Sequence, residues 1–153
     1  MKFVLPTAAL LFSAAPALSA DLIYLKCANE ITAESTGISA GKPVKKIETT
    51  TETAFFKITP EDNRFASYNS SSTPGELKWD KATITDNALS ANISEKNELM
   101  EVNGVLRIEL NPPGALTSQI SAVAFGMMTS EIDIVGSCET IEESKFEEGL
   151  KKP

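Results

Sequence analysis

Glu98–Leu110 reads Glu-Leu-Met-Glu-Val-Asn-Gly-Val-Leu-Arg-Ile-Glu-Leu. Leu106, Ile108 and Leu110 alternate with Arg107 and Glu109, the period of a strand with one apolar and one charged face. Asn103-Gly104 lies between two apolar-rich runs, and both residues accept the positive φ of a two-residue type I′ turn. The stretch predicts a β-hairpin that turns at Asn103-Gly104 and buries one face. Much of the chain repeats this grammar.

Working outward, Leu77–Thr85 and Ala88–Ser94 form a second hairpin about Asp86-Asn87, with the single tryptophan, Trp79, near its start. Asn111-Pro112-Pro113-Gly114 ends the opening hairpin, because proline has no N–H to give to a ladder. Leu116–Met128 is the most apolar run after the N-terminal segment; its spacing fits helix and strand alike, and the strands on both sides favour strand. Met127-Met128 at its end reads as core filling. Upstream, Leu22–Cys27 alternates as a first strand, while Lys45–Ile58 is rich in β-branched threonine. Pro60–Asn63 turns into a short strand, Phe65–Tyr68. Ile31–Lys46, polar and broken by Gly37, Gly41 and Pro43, reads as a long connection. Glu139–Pro153 is a charged tail, either a short helix or disordered.

Cys27 shares its parity with Ile23 and Leu25, and Cys138 shares its own with Ile132 and Ile134. Both cysteines therefore face a core, which predicts a Cys27–Cys138 disulfide between neighbouring first and last strands. About eight short strands with turns every 8–12 residues make an all-β domain. A meander whose ends meet is a small antiparallel β-barrel; a two-sheet β-sandwich is the second choice.

Residues 1–20 read as a secretory signal peptide. Lys2 precedes the uncharged apolar run Val4–Leu18, and small residues precede Asp21. The run is shorter than the ~20 residues of a spanning helix, and Pro6 and Pro16 break it. Three segments follow: signal 1–20, a disulfide-closed domain 21–138 and the tail 139–153. Export to the periplasm or outside the cell suits the even cysteine count. Without Lys2 the chain has 13 basic and 21 acidic residues, a net charge of −8, and Arg64 and Arg107 are its only arginines. That balance argues against nucleic acid and against an anionic membrane as partners.

Chemistry is narrowed by what the composition lacks. The chain has no histidine, which removes histidine-based nucleophile systems and histidine zinc sites, and a disulfide would occupy both thiols. No phosphate loop or nucleophile elbow appears. Glu61-Asp62-Asn63 lacks the spacing of a calcium loop. Glu101, Glu109 and Asp133 fall on outward strand positions, where solvation explains them better than a catalytic pair. No catalytic residue, metal ligand or cofactor is expected. The reading is an exported, non-catalytic binding or interaction domain whose partner is a small molecule or a protein. A structural or envelope-maintenance protein is the alternative, and a carboxylate-dependent hydrolase comes third. Tyr68 and Trp79 flank the Ser-rich segment Asn69–Gly75 and are the aromatics on which a sugar or peptide would stack.

Overall fold

In the computed structural model, which describes residues 21–70 and 77–151, the alternating runs become nine antiparallel strands of one sheet. They are β1 (Ile23–Ser39), β2 (Lys42–Thr59), β3 (Arg64–Asn69), β4 (Trp79–Lys81), β5 (Thr83–Ile84), β6 (Ala88–Lys96), β7 (Met100–Leu110), β8 (Pro113–Ala124) and β9 (Met128–Thr140). A helix, α1 (Glu143–Leu150), follows. The strand order is β4-β3-β2-β1-β9-β8-β7-β6-β5. The edge strands β4 and β5 are separated in sequence only by Ala82. One bent segment thus pairs with β3 on one side and β6 on the other, and the sheet nearly closes into a barrel. Asn63 anchors the bend: its carbonyl accepts from Ala82 N at 2.9 Å and its side-chain Oδ1 from Ile84 N at 3.2 Å. Around the barrel the strands run as a meander, with β1 beside β9.

Cys27 lies directly opposite Cys138 in the β1–β9 ladder, and the two form a disulfide. The bridge joins the core, where Leu25, Ile58, Leu89 and Ile108 are fully buried. On the outer face, α1 drives Phe146 into a second, smaller cluster with Tyr24 and Tyr68. The charged tail is therefore helical over Glu143–Leu150 and covers the sheet through one aromatic anchor.

Several local expectations are corrected. Asn103-Gly104 is not a turn but the middle of β7, opposite Ser94 and Ile93 of β6. Gly104 is needed there for close approach: a Cβ would lie 2.6 Å from the Gln119 carbonyl oxygen and 3.0 Å from Ile120 Cγ1. The chain instead turns at Asn97, whose side-chain oxygen accepts from Leu99 N at 2.9 Å and Met100 N at 2.8 Å. Ile31–Lys46 is not a long connection. It forms the ends of β1 and β2, joined by a tight turn at Ala40-Gly41 with positive φ at both residues. Backbone pairing satisfies these strands, so their side chains are free to be polar. Leu77–Thr85 is split into β4 and β5, which pair with opposite edges. Leu116–Met128 is strand as far as Ala124, but Met127 and Met128 stand 66 % and 51 % exposed at a hairpin tip and fill no core.

Candidate functional site

Barrel closure is confined to one end. β3, β4 and β5 are short, whereas β1, β2, β7, β8 and β9 run on past them. Core packing therefore stops where the short strands stop, and the interior opens into a cavity of about 380 Å³ at the barrel mouth. Phe56, Leu106 and Leu116 form its floor. Ile31, Ile120 and Ile134 line its apolar side, and Asn29, Glu52, Ser67 and Asn69 bring polar groups to the other.

Register explains this arrangement. Asn29 continues the inward parity of Leu25 and Cys27, and it pairs with Glu52 on β2 and Gly136 on β9. A side chain at position 136 would collide with the Asn29 carboxamide, so glycine is what admits that group to the interior. Asn29 is 9 % exposed, and its Oδ1 is buried without a hydrogen-bond partner. A carbonyl-type acceptor left this way costs about 1–3 kcal/mol. Its neighbours are already engaged: Asn69 Nδ2 donates to Glu52 Oε2 at 3.1 Å, and Ser118 Oγ donates to the Val105 carbonyl at 2.9 Å. The mouth thus sets polar side chains beside an apolar wall, with the Asn29 carboxamide packed on Gly136.

Tyr68 and Trp79 are placed differently from this cavity. Tyr68 borders it, but its ring lies on the outer face, stacked on Phe55 at 4.8 Å and edge-on to Phe146 at 5.1 Å. Its hydroxyl donates to the Phe146 carbonyl at 2.8 Å, so the phenol holds α1 to the sheet. Trp79 is half-buried opposite Ala66, with the Arg64 guanidinium 5.7 Å from its ring centre. Residues 71–76 of the Ser-rich segment lie outside the described residues. Tyr24, also under α1, donates to Glu143 Oε1 at 2.6 Å. Burial, that hydrogen bond and the nearby Glu143 and Glu147 charges push the Tyr24 phenol up to about 12. Burial and Glu147 raise Tyr68 as well.

Glu101, Glu109 and Asp133 are exposed and serve local contacts, with Lys96 and Asn103, Ala115 N and Gln119 respectively. Among the described residues no cluster of acidic or cysteine side chains has the arrangement to hold a metal ion. Among the same residues no helix is long and apolar enough to cross a membrane. Asn29, Gly136 and Ser118 carry no motif; the parity of Leu25 and Cys27, continued two residues further, is the signal that points Asn29 inward. No protein-family model matches the chain, and no curated protein is found that resembles it in sequence.

Proposed function

We propose that this chain is an exported, non-catalytic binding domain that holds a small molecule in the barrel mouth. The observation that carries the reading is a cavity of about 380 Å³ at the barrel mouth, lined by Ile31, Ile120 and Ile134 together with Asn29, Ser67 and Ser118. Concave sites with an apolar lining and a few placed polar groups are the usual form of small-molecule pockets. Export is supported by the segment 1–20 and by the Cys27–Cys138 bridge, which suits an oxidising compartment. Filling the cavity tests the reading. In an Ile134→Trp variant the melting temperature should hold while binding of neutral amphiphiles, followed by calorimetry, disappears. Unchanged binding in a folded variant would remove the mouth as the site.

A second reading, a protein partner, is favoured by one observation. The β6–β7 and β8–β9 tips meet through Phe125 N donating to the Leu99 carbonyl at 2.8 Å, and they expose Leu99, Phe125 and Met127 by 60–66 %. Exposed apolar groups so close together are typical of contact surfaces.

A further inference from the structure

Beyond the short strands the sheet has free edges. β3 covers β2 only from Ala54 to Thr59, so Lys42–Glu52 runs along an open edge. The Ser70 N–H donates to the Thr53 carbonyl at 2.8 Å, so the backbone of Thr53 points away from β1. Strand alternation turns the backbone groups of Lys45, Ile47, Thr49 and Thr51 the same way. Among the described residues none of these four has a backbone partner on that side. The other free edge, β6 beyond Ser90, is shorter.

An edge of this kind is a template for another strand. Lysine and proline ordinarily guard such edges, lysine by setting like charge against an arriving copy. Here the charges are patterned to fit a copy instead. Lys42, Lys45 and Lys46 are followed by Glu48 and Glu52, so the stretch is near neutral in a chain of net charge −7. Lys46 already pairs with Glu48 at 2.8 Å along the strand.

We propose that β2 pairs antiparallel with β2 of a second copy about a two-fold axis at Ile47, giving a homodimer with one continuous sheet. This register sets Lys46 opposite the partner's Glu48 and Lys42 opposite the partner's Glu52. Lys46 and Glu48 of the two copies then form a ring in which each charge has opposite charges along and across the strands. Ile47, 60 % exposed in the single chain, meets the partner's Ile47. The outward N–H and C=O groups of Lys45, Ile47 and Thr49 all gain partners. Pro43 falls at the end of the overlap, where its missing N–H interrupts nothing central. Neighbouring registers fail on charge: an axis at Lys45, Lys46 or Glu48 sets that residue against its own copy. An axis at Thr49 shortens the overlap, because β3 occupies the edge from Ala54 onward.

Sedimentation equilibrium of the disulfide-intact chain from about 1 μM to about 1 mM tests this. Monomer should pass to dimer and to nothing larger, because an isologous two-fold interface closes. Ile47→Pro removes an outward N–H that the β1 ladder does not use, so the chain should stay folded and the dimer should be lost. Lys46→Glu and Glu48→Lys should each weaken dimerisation by at least about tenfold, since each sets like charges opposite. An equimolar mixture of these two variants should dimerise again, because at both positions each charge then meets its opposite. Misfolding of either variant could not produce that recovery, so the mixture decides the register even if the proline variant unfolds. A chain monomeric up to about 1 mM, species growing beyond the dimer, a dimer that survives Ile47→Pro, or a mixture no better than its components would overturn the proposal.

Discussion

β1 passes through two different environments without changing its backbone partners. From Ile23 to Cys27 and again from Ile31 to Thr36 it is paired with β2, and over most of this length also with β9. Yet Leu25 is fully buried while Ile38, near the far end, is 64 % exposed. Pairing makes both halves strand. What separates them is cover: the near half has the closing strands β3–β6 across the interior and α1 outside, and the far half has neither. The near half is a scaffold for stability, and the far half presents an open surface next to it. The binding site we propose lies at the boundary.

Removing the bridge should produce the largest effect. It closes a loop with a sequence separation of 111, for which chain entropy gives about 4.7 kcal/mol, within a usual range of ~2–5. Chemical denaturation of a Cys27→Ala/Cys138→Ala variant measures it, and a loss below about 1 kcal/mol would detach the bridge from the scaffold's stability. Next, Leu25→Ala should cost about 2–5 kcal/mol, as for a fully buried leucine. Ile38→Ala, on the same strand, should stay within about 0.5. Equal losses would dissolve the distinction between the two halves.

The cover over the near half has its own pH signature. Both phenols titrate above the usual tyrosine value, Tyr24 near about 12. The folded state therefore holds its phenolic protons more tightly than the unfolded state. The resulting stabilisation is fully present below the ordinary tyrosine pKa of about 10, and is lost as pH rises through the folded values. At about pH 11 the folded chain should show less tyrosinate absorbance than the denatured chain, with Tyr24 still mostly protonated. Free-tyrosine behaviour in the folded chain would mean that α1 does not seal that face.

The contrast between the halves also explains what was legible in the residues. Leu25, Cys27, Ile134 and Cys138 lie in or beside the covered half, where alternation reports burial, and their parity correctly placed the bridge between neighbouring strands. Ile31–Lys46 lies largely where nothing covers the sheet, so its composition mimics a loop although its backbone is paired everywhere except the Ala40-Gly41 turn. Asn103-Gly104 misled for another reason. A glycine wanted for close approach across a ladder is indistinguishable in sequence from one wanted for positive φ, and the operative turn signal was the side chain of Asn97. The candidate site was hidden by the first of these effects. Asn29 sits at the junction between a recognisable strand and an apparent connection, so its inward direction emerges only once β1 is seen to continue. Trp79 and Tyr68 were conspicuous because they are aromatic, and the Tyr68 hydroxyl is engaged with the Phe146 carbonyl of α1.

The most direct measurement is a nitrogen–proton correlation spectrum of the labelled, disulfide-intact chain titrated with octanol. The account expects shift changes concentrated at Asn29, Ile31, Ile120, Ile134 and Gly136, with the side-chain amide of Asn29 among the largest. Changes confined to Trp79 and its surroundings, or to the exposed tips at Leu99 and Phe125, would contradict it.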